Sequence, residues 1–325
     1  MSEKFLQKKI KENNFLIVGR AGIDIYPEPP GTKTENAKNF ISHLGGSSAN
    51  IAVALTKLGG KCKLLTKVSN DALGKLTLNE LNKYNINTSL IKFQKKEARI
   101  SLAIVESRVE DHQSIIYRHH AADLYLNEKD IIEANIENFS CLLITGTALA
   151  AEPSRSAIFL ALEIAANNKI PVIMDIDYRP YTWKSINEAS EIYLKAAKLS
   201  NGVIGNDDEF GVLANNYNDG YDLAESLSEN IDFIIYKKGE KGSVTFTKNN
   251  KFTKGIFPVV PLKPTGAGDA YMGAFIGALL NNHKIEQAVE IGSAAAAIVV
   301  TKVGCAPAMP DFNEINNFIN NNNIT

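Results

Sequence analysis

The first apolar run, Phe15-Leu-Ile-Val, is stopped by Gly19 and predicts a buried strand. After the glycine pair Gly45-Gly46, Ile51, Leu55 and Leu58 recur at helical spacing. Ser47 or Ser48 is placed to cap that helix, and Gly59 to end it in a left-handed conformation. The same reading predicts strands over 63–68, 141–145 and 172–175, and helices over 73–84, 128–136, 154–168 and 188–199. A strand over 202–205, a helix from Asn206, a strand over 233–237 and a long helix from about Ala267 complete the pattern. Strands that take turns with helices predict an α/β fold with a central, mostly parallel sheet flanked by helices on both faces. Ligands of such sheets sit at the strand C-termini.

Two segments break this rhythm. Residues 23–44 are rich in Pro, Gly and Lys, and 99–119 read as two strands, 100–105 and 114–117, around a polar turn. Strands without partner helices predict a small sheet laid over the main domain as a lid that excludes water. The expected organisation is one domain over 1–325 with lid segments 23–44 and 99–119 inserted. No internal repeat is visible, and the Asn-rich tail after Asn316 reads as a frayed end.

A chain of 325 residues with 45% hydrophobic content can bury a sizeable core. Its formal net charge of −1 gives no bulk attraction to nucleic acid or to an anionic membrane, so a small molecule is the expected partner. Cys62, Cys141 and Cys305 are odd in number and far apart, which points to reduced, buried thiols rather than disulfides or a zinc site. Residues 1–14 hold no apolar run of signal-peptide kind, and no stretch is apolar over membrane-spanning length. The expected compartment is the cytoplasm.

Candidate chemistry concentrates at Thr265-Gly-Ala-Gly-Asp269, which runs into small and apolar residues at helical spacing. The first N–H groups of a helix have no intrahelical partner, and with the helix dipole they cradle anionic oxygen. The N–H groups of Gly266, Ala267 and Gly268 are thus placed to hold a phosphoryl group in transfer. Asp269, in the first turn, is placed to take the proton of an attacking hydroxyl. A tight turn followed by a dipole-favoured acid accounts for the same residues without catalysis.

Gly45-Gly46, followed by Asn50 and preceded by Asp24, would let backbone approach a polyol whose hydroxyls meet an amide and a carboxylate. Asn206 and Glu209 lie on one helical face and offer hard oxygen donors for Mg²⁺ through its waters; they also suit an ordinary N-cap. Lys237-Lys-Gly-Glu-Lys-Gly242 is a turn able to pass under nucleotide phosphates or ribose through Lys238, Gly239 and Gly242, or a solvated hairpin turn. Arg118 and Arg179 could each grip a carboxylate with two donors, or form surface ion pairs. His43, His112, His119, His120 and His283 show no zinc-binding spacing. No serine-hydrolase elbow, Walker loop or dinucleotide fingerprint is present.

In this order, Gly45-Gly46 with Asn50, Asn206-x-x-Glu209, the Lys238-Gly239 turn and Gly266-Ala-Gly-Asp269 resemble the ribokinase-like, phosphofructokinase B-type carbohydrate kinase family over nearly the whole chain. The resemblance implies a ribokinase-like fold with a small β lid, ATP and Mg²⁺ as cofactors, Asp269 as base and the Gly266–Gly268 amides as anion hole. It implies nucleotide contacts at Lys238, Gly239, Gly242 and Thr265, and sugar contacts at Asp24, Gly45, Gly46 and Asn50. Lids in this family often pair across a homodimer, although no exposed apolar face for it is visible here. Activation by a monovalent cation is a further family expectation.

Three stretches are more specific: Gly19-Arg-Ala-Gly-Ile-Asp-Ile-Tyr-Pro27, Asp175-Ile-Asp-Tyr-Arg-Pro180 and Gly304-Cys-Ala-Pro-Ala-Met-Pro310. They resemble the branch acting in inositol catabolism. So does Lys263, which stands where many members carry an acid. The implied reaction transfers phosphoryl from ATP to the terminal hydroxyl of 5-dehydro-2-deoxygluconate, giving the 6-phosphate. Arg118, Arg179 or both would then neutralise the acid's carboxylate. The generic motifs also fit a kinase for 2-keto-3-deoxygluconate, fructose or ribose, or a regulator that binds sugar or nucleotide without turnover.

Overall fold

Phe15–Val18, Cys141–Thr145 and Val172–Asp175 are buried at every position, as strands covered on both faces require. They belong to a computed structural model that describes residues 3–95 and 97–325. The chain begins with α1 (Glu3–Lys11), β1 (Phe15–Val18), β2 (Gly22–Glu28), β3 (Asn39–Gly45) and α2 (Ser47–Lys57). There follow β4 (Cys62–Leu65), β5 (Lys67–Ser69), α3 (Ala72–Lys83), β6 (Lys92–Gln94), β7 (Ser101–Val105) and β8 (Ser114–Tyr117). The middle holds α4 (Glu128–Ala134), β9 (Cys141–Thr145), α5 (Ser154–Asn167), β10 (Val172–Asp175), α6 (Ile186–Lys198), β11 (Gly202–Asn206), α7 (Asp207–Leu213) and α8 (Gly220–Leu227). Then come β12 (Phe233–Lys237), β13 (Ser243–Thr247), β14 (Lys251–Lys254), α9 (Ala267–Leu280), α10 (Ile285–Val300) and α11 (Phe312–Asn321).

These elements form two compact units, one of residues up to Gly19 with Leu126–Ile256, the other of Arg20–Tyr125 with Phe257–Thr325. In the first, the strands run in the order β14-β13-β12-β11-β10-β9-β1. All pairs from β1 to β12 are parallel, with Ile17 opposite Leu143 and Met174 opposite Ile144. β13 and β14 add an antiparallel edge. The second unit carries a separate four-stranded sheet, β3-β2-β7-β8, so the expected hairpin over 100–117 is present and 23–44 supplies its other two strands.

Three expectations change. The strand expected over 63–68 is two strands, because β4 bonds to the backbone of Asn87 whereas β5 pairs with β6, and the chain changes partner at Thr66. α2 is capped by Gly46, not by Ser47 or Ser48: both serines lie buried inside the first turn, and the N–H of Ala49 finds the carbonyl of Arg20. The tail is helical as far as Asn321, held by a reciprocal cap between Asp311 and Glu314, with Ile315 buried and Phe318 against Phe257.

All three cysteines are free and buried. No helix of the described residues is long and apolar enough to cross a membrane. On the four-stranded sheet, Phe40, Ile41, Ile115 and Tyr117 are exposed, an apolar feature not visible in the sequence pattern.

Candidate active site

The second unit brings the GAGD turn and the Gly45-Gly46 helix together through two helices packed at close range. A Cβ on Gly273 would lie 2.4 Å from Ala54 Cβ, and one on Gly277 would lie 2.7 Å from Leu58 Cβ. The positions four residues earlier, Asp269 and Asn50, therefore meet as well: Asn50 Nδ2 donates to Asp269 Oδ2 at 2.9 Å. Asn50 is buried, and its other polar atom, Oδ1, has no hydrogen-bond partner.

Gly266 caps α9 in the left-handed region, with φ 87°. A Cβ there would sit 2.8 Å from Cys305 Sγ and 3.1 Å from Val299 Cγ1, so conformation and space both demand glycine. No acceptor among the described residues takes the N–H groups of Gly266, Ala267 or Gly268. Three unsatisfied donors at the positive end of a 14-residue helix, beside a half-buried carboxylate at its third position, make a site for an anion and a proton acceptor together.

Behind this turn, Lys263 is completely buried, and its ammonium donates to the carbonyls of Thr265 at 2.6 Å and Val299 at 3.2 Å. Burial lowers its pKa from the usual lysine value, while Cys305, Asp269 and Asp24 oppose that shift. Asp24 is buried against the Gly45 backbone, where a Cβ would strike its carboxylate. Desolvation raises the Asp24 pKa, partly offset by Arg20, the Tyr26 hydroxyl and Lys263. Arg20 lies beside the same turn: its carbonyl is 2.6 Å from where a Gly46 Cβ would be. Its guanidinium is buried, donates to Ser101 Oγ at 2.9 Å, and has no partner at Nε.

Arg118 is also buried in this unit, with Nε donating to Asp123 Oδ2 at 3.1 Å and Nη2 to the same oxygen. Its charge is thus already matched by a carboxylate of the chain.

In the first unit, Asn206 and Glu209 cap each other at the end of β11. Asn206 Oδ1 accepts from the Glu209 N–H at 2.8 Å, and Glu209 Oε2 accepts from the Asn206 N–H at 2.7 Å. Glu209 Oε1 accepts from the Tyr178 N–H at 3.2 Å. The carboxylate is buried, and among the described residues no basic side chain pairs with it. Nor do the described residues contain three or more His, Cys, Asp or Glu grouped to hold a metal. Arg179 is tied to the end of β10 through Asp177, at 2.7 Å, and Asp177 is held in turn by Thr147 Oγ1. Lys238 and Gly239 form the bend between β12 and β13, closed by a 2.7 Å bond from the Lys238 N–H to the carbonyl of Gly242.

A profile described as pfkB family carbohydrate kinase matches residues 12–311. The chain belongs to this family. As a pfkB family kinase it is 38% identical over 310 residues to a 5-dehydro-2-deoxygluconokinase from Photobacterium profundum, covering 94% of each chain. It is 37% identical over 313 residues to a 5-dehydro-2-deoxygluconokinase 2 from Bacillus cereus, again covering 94% of each. Its fold is similar to that of a putative ribokinase II from E. coli in complex with ATP and Mg²⁺, with a TM-score of 0.85 at 21% identity, covering 95% and 99% of the two chains. A fructokinase double mutant from Vibrio cholerae, in its fructose-, ADP- and potassium-bound form, superposes with a TM-score of 0.81 at 23% identity, covering 94% and 98%.

Two residues beside the candidate site are not singled out by residue type and spacing alone. Arg20 lies within the Gly19–Pro27 stretch, and its burial beside the Gly46 turn follows from tertiary structure. Lys263 is visible as a departure from the family's usual acid, but not as a residue bonded to the turn it precedes.

Proposed function

We propose that this carbohydrate kinase transfers the terminal phosphoryl group of ATP to the terminal hydroxyl of 5-dehydro-2-deoxygluconate. The observation that carries the chemistry is the convergence at one helix N-terminus of three unpaired N–H groups and Asp269, itself held by Asn50. The substrate assignment rests on relatives of that name at 37–38% identity over nearly the whole chain.

In this reading the hydroxyl of the sugar lies against Asp269, which takes its proton as the oxygen attacks phosphorus. The N–H groups of Gly266, Ala267 and Gly268 hold the equatorial oxygens of the phosphoryl group, whose charge is spread in a loose transition state. Asn50 fixes the carboxylate through one of its oxygens. Asp24 and the Gly45-Gly46 backbone bind the remaining hydroxyls. Lys238, Gly239, Gly242 and Thr265 belong to the nucleotide side.

Asn206 and Glu209 suit Mg²⁺ through its waters. A buried carboxylate that meets only backbone amides, with no basic partner among the described residues, is a fitting neighbour for a hydrated cation. When bound, Mg²⁺ would supply charge neutralisation to the phosphates.

For the substrate carboxylate, the arginines differ. Arg118 is committed to Asp123 and Arg179 to Asp177, whereas Arg20 lacks a carboxylate within hydrogen-bonding reach among the described residues. We therefore assign the acid group to Arg20. A dimer through the four-stranded sheet is a further part of the reading, supported by its exposed Phe40, Ile41, Ile115 and Tyr117. The three free thiols suit a cytoplasmic setting.

The product tests the reading. Incubation with Mg·ATP and 5-dehydro-2-deoxygluconate should yield a phosphate monoester whose phosphorus couples, in NMR, to the protons of the terminal methylene. A phosphate on another carbon would break the assignment of Asp269 to the terminal hydroxyl, and no ester would remove the substrate.

A further inference from the structure

Lys263 combines three features that a solvated lysine never has. It is buried to the last atom, its ammonium sits on two backbone carbonyls, and one of those carbonyls belongs to the peptide that supplies the first N–H of the anion site. The Thr265–Gly266 peptide is trans. In a planar trans peptide the C=O and the N–H point in opposite directions, so fixing one fixes the other. An ammonium drawing the Thr265 carbonyl inward therefore turns the Gly266 N–H outward. It also polarises the peptide, which makes that N–H a stronger donor.

The second carbonyl, of Val299, lies in the last turn of α10, where the helix dipole favours a cation. The main chain of Lys263 docks on the same helix end, because the N–H groups of Leu262 and Lys263 both donate to the carbonyl of Val300, at 2.7 and 3.1 Å. The ammonium is thus anchored on one side to the C-terminus of α10 and on the other to the turn that opens α9. Cys305 and Val299 pack directly under Gly266, so the turn has little room to shift unless this anchor lets go.

We propose that Lys263 is a positioning residue for phosphoryl transfer: its ammonium is a built-in cation that orients the Gly266 N–H, and the kinase consequently needs no free monovalent cation. Lys263 does not touch the reacting atoms in this arrangement. It acts through the Thr265–Gly266 peptide, and the inference rests on the reading of the Gly266–Gly268 amides as the anion site.

The test uses the full chain and any sugar that the unaltered enzyme turns over, so that a wrong substrate assignment shows up separately as no turnover by the unaltered enzyme. Lys263→Met keeps the length and apolar stem while removing the charge. Its kcat should fall about 10- to 100-fold, less than the outright loss of an anion-hole donor because the N–H is kept but no longer aimed, with KM for the sugar changed by less than about threefold. In Lys263→Gly, added ammonium or potassium ions should restore part of kcat, and tetramethylammonium, too large for the space, should restore none. The unaltered enzyme should run at the same rate in potassium, ammonium and tetramethylammonium chloride at equal ionic strength. That last comparison stands even if both variants fail to fold. A Lys263→Met enzyme within about twofold of normal kcat, an unaltered enzyme strongly activated by potassium, or a Lys263→Gly enzyme indifferent to the small cations would each overturn the proposal.

Discussion

Asn50 Nδ2 donates to Asp269 Oδ2 across 2.9 Å, and the contact depends on α2 and α9 approaching through glycines at 273 and 277. Positions 50, 54 and 58 of one helix face 269, 273 and 277 of the other, so the four-residue periodicity that packs the helices also delivers the amide to the carboxylate. In the proposed function Asn50 therefore serves the base as well as the sugar pocket. Asp269→Asn should fold with an unchanged melting temperature and lose about 10²-fold or more in kcat. Asn50→Ala should lose less, about tenfold, since the base remains but is no longer held. Steady-state kinetics beside thermal melting checks both; near-normal turnover of Asp269→Asn removes its role as base.

The arginines separate by what each already holds. Arg20→Gln should raise KM for the acidic sugar about tenfold, the scale of a charge-assisted hydrogen bond, with smaller effects on a neutral sugar. Arg118→Gln should act on stability instead. It strands Asp123, whose side chain is 2% exposed, and a broken buried pair costs about 3–5 kcal/mol. Sugar titrations and melting curves on the two variants distinguish these outcomes, and an Arg118→Gln enzyme of normal stability but raised KM would reverse the assignment.

Glu209→Gln should keep the cap on α7, because an amide oxygen can accept the Asn206 N–H as the carboxylate does. What it loses is the negative charge and the bond from the Tyr178 N–H, which an amide nitrogen cannot accept. The expected result is a several-fold increase in the Mg²⁺ concentration needed for half-maximal rate, with a loss of about 1–3 kcal/mol of stability for the stranded N–H. An unchanged Mg²⁺ requirement would leave Glu209 as a cap alone.

The thiols should be silent in the folded protein. Burial pushes Cys62 up to about 12 and Cys305, where the Lys263 charge partly compensates, up to about 11; Cys141 is raised as well. A raised pKa leaves the unreactive protonated form dominant at about pH 8. Ellman's reagent should therefore titrate almost none of the three thiols in the native enzyme and all three after denaturation. Fast reaction of the native protein would contradict the burial of these side chains.

Much of the architecture is legible in the sequence because buried strands such as Cys141–Thr145 are uninterrupted apolar runs, and the helix from Ala267 follows a glycine turn. α10 and α11 are harder to read. The first is a run of small residues with little contrast between its faces, and the second hides its buried Ile315 among asparagines. At the site, motif residues can be named from spacing, but their partners cannot. The Asp269–Asn50 bond spans 219 positions, the Lys263–Val299 bond 36, and the Arg20–Ser101 bond 81, all fixed by tertiary packing. The exchange of a serine cap for Gly46 has the same origin, since the carbonyl of Arg20 had already satisfied the helix start.

The central claim is that this pfkB family kinase acts on an acidic sugar. The most direct measurement is ADP release with Mg·ATP and 5-dehydro-2-deoxygluconate, beside 2-keto-3-deoxygluconate, fructose and ribose at equal concentration. The account predicts the highest kcat/KM for 5-dehydro-2-deoxygluconate and weak turnover of the neutral sugars. A preference for fructose or ribose would contradict it, and absence of ADP release with all four would favour a binding protein over an enzyme.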